Sequence, residues 1–442
     1  MRAVSRIAAP AALAQLGMMF MGVVDTAMLG RFSANALAAG ALGHNISMGV
    51  IILAQGVLMA LDALVSQAWG AGDMRRVRQE FHSGVILALL LSVLTAALLW
   101  PLRGLFDLAR QPPAVAAGAG IYTRAVIAGV PAYLLFVALR RGLQAMAVVR
   151  PTLVAIVAAN VVNVAANYVL IFGHFGLPRL GVLGSGIATS ISRWSMLLAL
   201  LWLARSHLEP LHLARRWRWP GRGALKQFLR IGVPISVHTG VEFWMIAVIA
   251  LMMGTLGTAE LAGHQIALVL AAMTYMISLG ISGAAAARVG HAVGAGDERR
   301  ARVAAAVSVA LATAVMSVGA AMFVLAPGPL SRFFTDEPEV LLVAGLLIPI
   351  AALFQVFDGI QVAATGALRG LADTRAPAII AVLCYWLICI PFGLVLTFRM
   401  GVTPQGPWWG LSVGLAVSAV LLTWRLWRKM SGPIEAILPS GG

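Results

Sequence analysis

The chain has 442 residues, of which 60% are hydrophobic and only 11% charged. Soluble domains carry about a quarter charged residues, so this balance leaves no room for a sizeable soluble domain and marks an integral membrane protein. The net charge of +16 does not point to nucleic acid, because the basic residues fall in short loops between apolar runs, where they orient membrane helices.

Twelve apolar spans follow one another, at 7–30, 43–68, 82–102, 117–139, 152–172 and 182–204, then 229–254, 262–288, 302–326, 340–367, 376–398 and 408–427. A helix rises about 1.5 Å per residue, so runs of this length cross a hydrocarbon core of about 30 Å. A membrane barrel would instead alternate with period two. The first run lacks the short apolar core and small-residue cleavage site of a signal peptide, so its retention is expected. Cys384 and Cys389 share one apolar run and imply neither a disulfide framework nor a metal site.

The loops alternate in charge. Those after the even-numbered spans, with the two termini and the adjoining span-edge residues Arg230, Arg288, Arg302 and Arg425, hold 24 of the 32 Lys and Arg; the other loops hold Arg31, Arg103, Arg110, Arg179, Arg332 and Arg399, and Arg124 and Arg193 fall well within spans. This bias places both termini and the loop 206–228 in the cytoplasm. Residues 6–78 and 230–302 also align without a gap at an offset of 224, with 21 identities in 73 positions, including GAGDMRRVR (70–78) against GAGDERRAR (294–302). Both copies belong on the basic side, so the halves run in the same direction. The expected fold is all-α, with twelve transmembrane helices in two six-helix bundles related by a pseudo-twofold along the membrane normal. Its expected parts are an N-lobe 1–205, a basic cytoplasmic linker 206–228, a C-lobe 229–430 and a cytoplasmic tail 431–442.

Three carboxylates lie deep in apolar runs: Asp25, Glu242 and Asp358. An acid at that depth costs at least about 2.5 kcal/mol and is usually turned towards a partner or a water-filled cavity. Met18, Met21 and Met28 share a helical stripe with Asp25, giving either a soft binding surface or ordinary packing. Asn160, Asn163 and Asn167 share a face of span five; they can serve Asp25 or a cation, or make interhelical contacts. Asp62 lies near the end of span two, where water or the basic loops are expected to solvate it, with a structural or gating role. His238 stands one turn before Glu242, as a proton relay or a packed polar residue. Phe354, Asp358, Gln361 and Thr365 line one side of span ten, offering a cation both a ring face and an acid. The repeat pairs Glu242 with Met18 and Asp25 with Ile249, so the two halves should not be chemically equivalent. No catalytic set stands out, and the GAGD copies lack the Lys-Ser/Thr of a phosphate loop.

The stretches VDTAMLGRFSANALAAGALG (24–43), ALDALVSQAWGAGD (60–73), NVVNVAANYVLIFGHFGLPRLGVLGSGIATSISRW (160–194), GTAELAGHQIAL (257–268), RVGHAVGAGD (288–297) and FDGIQVAATGALRGLADTRAP (357–377), in this order and spacing, resemble the multidrug and toxic compound extrusion (MATE) family. The likeness is greatest to its bacterial NorM-type branch. The resemblance implies an antiporter of the bacterial cytoplasmic (inner) membrane, in which H⁺ or Na⁺ enters while organic cations and drugs leave. No other cofactor, no nucleic acid and a monomer in the lipid bilayer are expected with it. It implies that Glu242 and Asp358 hold the coupling cation, Na⁺ included, with Asp25 as the acid of the other lobe and Asn163 and Asn167 as its polar neighbours. Gln265 and Tyr275 match cavity-lining positions, and Ser185 matches a small hydroxyl residue; Met18, Met21, Phe354 and Gln361 complete the expected cavity. Phe354 stands where related proteins carry Tyr, which removes a hydroxyl and favours proton coupling. The runner-up reading is a flippase for a lipid-linked saccharide or other amphipathic substrate, which would need a cationic central cavity.

Overall fold

The computed structural model describes residues 2–108, 111–211 and 221–437, and there is no strand among them. Eleven helices are long and apolar enough to cross a membrane, and a bent pair counted as one span makes twelve. In the first half these are α1 (Arg2–Phe32), α2 (Ala34–Leu58) continued by α3 (Leu61–Gly70), α4 (Met74–Leu99), the pair α5 (Pro113–Ile127) and α6 (Val130–Ala145), α7 (Arg150–Phe172) and α8 (Val182–Leu203). The second half has α9 (Arg222–Leu256), α10 (Thr258–Gly294), α11 (Glu298–Leu325), α12 (Pro338–Gly370), α13 (Arg375–Arg399) and α14 (Gly406–Ser431).

The GAGD repeat is a helix start in both halves. Gly72 and Gly296 adopt left-handed φ values of +74° and +70°, which glycine takes without a Cβ penalty. Asp73 and Asp297 then accept hydrogen bonds from the backbone N–H of Arg76 and Arg300, each at 2.9 Å, capping α4 and α11. Replacing Asp297 by Ala is expected to cost about 1 kcal/mol, read as a lower thermal midpoint of the purified protein.

Helices run past the apolar limits expected for them, because hydropathy ends at the first charge whereas backbone hydrogen bonding does not. Arg140, Arg141 and Arg369, which the charge pattern assigns to loops, lie inside α6 and α12 and are buried. Likewise residues 222–228, expected in the linker, form the first two turns of α9; linker residues 212–220 and tail residues 438–442 lie outside the described residues. Span four bends by 54° between α5 and α6. Pro131 in the first turn of α6 has no N–H to continue the ladder, and at the joint Gly129 packs so tightly on Ser190 that a Cβ would lie 2.8 Å from its Cα.

Packing divides the chain into two units. One comprises Leu13–Leu61 and Asp73–Gly232; the other comprises Met1–Ala12, Asp62–Gly72 and Val233–Gly442. The chain passes from one to the other beside helix breakers: Pro10 in α1, the turn at Met59–Ala60, Gly72, and Pro234 in α9. The Met59–Ala60 turn has no equivalent at the matching residues 283–284, where α10 is continuous, so span two is jointed in the first half alone.

Candidate functional site

Asp25, in the first of these units, is 4% exposed. Three side chains from two other helices donate to its carboxylate: Asn163 at 3.0 Å and Asn167 at 2.5 Å to Oδ1, and Thr189 at 3.0 Å to Oδ2. Four-residue spacing on α7 stacks the two amides on one face, and α8 supplies the hydroxyl. The amide stripe is divided between two tasks, since Asn160 instead donates to the carbonyl of Gly17 and ties α7 to α1. Asn163 and Asn167 retain unpaired Oδ1 atoms, and Ser185 a buried, unpaired hydroxyl. The methionine stripe divides too: Met18 Sδ lies 3.7 Å from Arg140 Nη1, Met21 is half-buried, and Met28 packs against Leu29, Ala36 and Ile171.

Arg193 on α8 escaped sequence reasoning although an arginine inside an apolar run is itself a signal. It is buried, its guanidinium lies 4.9 Å from the centre of the Tyr133 ring, and its Nη1 has no hydrogen-bond partner. It stands one turn beyond Thr189, which meets Asp25, so this unit buries an acid and a base near one another. His44 and Tyr122 (3.3 Å), Tyr133 and Gln55 (3.0 Å), and Arg140 and Gln15 (2.7 Å) extend the polar interior.

Glu242 and Asp358 lie in the other unit, on α9 and α12. Glu242 is half-buried and Asp358 is 3% exposed. Val241 and Met245, beside Glu242, and Phe354 and Phe357, beside Asp358, pack on one buried cluster, which brings the helices of the two acids together. Tyr275 on α10 donates its hydroxyl to Glu242 Oε1 at 3.2 Å. Among the described residues neither acid has a Lys or Arg in ion-pair range. Phe354 meets Trp408 edge to face at 5.9 Å, and Trp408 Nε1 donates to His264 Nδ1 at 3.2 Å. Gln361 is fully buried one turn beyond Asp358, and His238 Nε2 is buried and unpaired. Gln265 is exposed on α10, next to the buried His264. Each unit thus carries its own acid site, built differently, as the mismatched repeat anticipates.

Asp62 is not solvated by bulk water; of the two expected partners it has the basic one. Its carboxylate is buried and accepts from Arg369 Nη1 at 2.8 Å, because α12 extends beyond its apolar limit and carries Arg369 to it.

A family model described as MatE matches residues 10–169 and again residues 234–395. The chain belongs to the MATE family. The paired match reproduces the internal repeat, with its two starts 224 residues apart. Similar MATE proteins include the multidrug resistance protein NorM of Burkholderia vietnamiensis, 38% identical over 98% of this chain and 95% of its own length. The multidrug resistance protein PmpM of Pseudomonas aeruginosa is 38% identical over 96% of this chain and 90% of its own. Both are bacterial, and this chain is a NorM-type MATE protein. The eukaryotic MATE transporter AtDTX14, known from a crystal structure, shares the fold with a TM-score of 0.87 over 97% of each chain at 24% identity.

Proposed function

We propose that this MATE protein is a multidrug efflux antiporter of the bacterial inner membrane, exchanging entering H⁺ or Na⁺ for departing organic cations. The observation that carries the reading is the Glu242–Asp358 pair: two carboxylates deep in apolar helices that pack on one buried cluster, with no basic side chain in ion-pair range of either among the described residues. Two unneutralised acids at such depth are expensive unless a cation joins them. One small cation relieves their mutual repulsion, and so does one organic cation, but the site holds both at once poorly. Competition for a single seat couples the two fluxes. The cation entering from outside displaces drug, and its loss to the cytoplasm prepares the site for the next drug.

The groups around the acids fit this role. The Tyr275 hydroxyl supplies a neutral donor to Glu242, and the Phe354 ring offers the apolar and quadrupolar surface that organic cations favour. Asp25, met by two amides and a hydroxyl, forms a second acid site whose charge is balanced by Arg193. Alternating access is rocking of the lobes 1–205 and 229–430, with both termini in the cytoplasm and the monomer as working unit.

Purified protein in proteoliposomes, loaded with ethidium and given inward Na⁺ and pH gradients separately, tests the proposal. Efflux driven by at least one gradient and collapsed by dissipating it is the expected result. Efflux indifferent to both gradients would refute ion coupling.

A further inference from the structure

Polar residues lead from the Glu242–Asp358 site towards one end of its unit. On α12, Asp358 is followed by Gln361, Thr365 and Arg369, three to four residues apart and so along one face. On α10, Tyr275 is followed by Ser278 and Ser282 with the same spacing, and on α9 His238 lies one turn from Glu242. Given the chain directions, all three series run towards the end of the unit that carries the basic loop GAGDERRAR. In the opposite direction Gln355 is the one buried polar group next to Asp358 on α12, and beyond it Leu347 and Ala351 pack with Met245, Ile249 and Leu270 in one buried cluster.

Several atoms of these polar groups are buried without protein partners. Ser278 Oγ, Thr365 Oγ1, His238 Nε2 and Arg369 Nε have no hydrogen-bond partner. Ser278 and Gln361 are fully buried, and Thr365 is 8% exposed. The α10 and α12 series face each other: a Cβ on Gly366 would lie 2.5 Å from Ser282 Oγ, and Arg369 Nη2 lies 3.5 Å from the same hydroxyl. Buried polar atoms left unpaired by protein are met by water, and several along one line define a wet path through an apolar body. At its end stands the Arg369–Asp62 pair, with side chains only 7% and 4% exposed. There α3 is fastened by Gln67, which donates to the carbonyl of Gly370 at 3.0 Å and accepts from the N–H of Ile437 at 3.0 Å.

We infer that this file, from Asp358 through Gln361, Thr365 and Ser278 to Arg369, is the hydrated route by which the coupling cation leaves the acid site, and that the Arg369–Asp62 pair closes it. The inference rests on the reading of Glu242 and Asp358 as the coupling acids. A proton or a Na⁺ passes along water and hydroxyl oxygens, whereas an organic cation is too large and uses the other face of the site. Thr365 lies about 10 Å along the helix from Asp358, two turns towards the basic end of the unit.

The test is a double variant, Thr365→Val with Ser278→Ala, which dries the path while keeping side-chain volumes. Gradient-driven ethidium efflux is expected to slow about tenfold, the factor that losing a hydrogen-bonding partner in a buried path gives. Exchange of labelled for unlabelled ethidium without a gradient needs no ion release and is expected to stay within about twofold of the parent, well inside that factor. Thr365→Ser, which restores the hydroxyl, is expected to recover the efflux rate. Parental gradient-driven efflux in the double variant would overturn the route, as would equal loss of exchange, which would mark general damage to the carrier. Glu242→Gln assayed alongside separates the two ideas: if it keeps gradient-driven efflux, the coupling reading has failed; if it loses efflux while the double variant does not, the route alone has failed.

Discussion

Glu242→Gln and Asp358→Asn are each expected to abolish gradient-driven ethidium efflux while leaving membrane insertion and yield unchanged. Both replacements keep side-chain shape, and a glutamine oxygen still accepts the Tyr275 hydroxyl that now meets Glu242 at 3.2 Å. What disappears is one of two negative charges that have no basic partner among the described residues. Losing a charge-assisted contact of about 3 kcal/mol corresponds to roughly a 100-fold fall in rate. Insertion should not suffer, because an amide costs less than a carboxylate in the hydrocarbon region. Initial rates in energised vesicles, normalised to protein in the membrane, decide the matter. Normal efflux by both variants would show that the pair does not couple ion to drug.

The second large effect concerns stability. Arg369→Ala leaves the Asp62 carboxylate buried without the guanidinium that now lies 2.8 Å away. Removing one partner of a buried ion pair costs about 3–5 kcal/mol, whereas replacing both by apolar residues of similar size is often close to neutral. Thermal unfolding in detergent should therefore show Arg369→Ala strongly destabilised. The double variant Asp62→Leu with Arg369→Met should melt close to the parent. If the single variant were as stable as the double, the pair would contribute nothing to holding α3 against α12.

Much of the architecture was legible because a bilayer imposes one rule on every span: backbone polar groups must be satisfied internally, so long apolar runs become helices. The double GAGD signature showed the repeat, and the structure turns it into matched helix caps at Asp73 and Asp297. The acids at Asp25, Glu242 and Asp358 stood out because charge is rare at such depth. Ends of elements were harder to read. Arg140, Arg141 and Arg369 look like loop charges, yet each is buried on a helix that continues past the apolar run. The joint at Met59–Ala60 was also hidden, since the sequence there, VLMALDAL, contains neither proline nor glycine.

Partnership is where sequence reading stopped. Spacing put Asn160, Asn163 and Asn167 on one face but did not show that the first would hold α1 while the other two served Asp25. It placed Asp62 near a span end without revealing a guanidinium 307 positions away. The sequence alone determined a helical membrane protein with a doubled plan and three acids held at depth, because hydropathy, charge bias and periodicity act within one span or between neighbours. Only the tertiary structure decided which acid is met by amides, which is tied to arginine and which two lie on helices packed together without a basic partner. Those outcomes depend on distances between helices far apart in the chain, and local pattern carries no record of them.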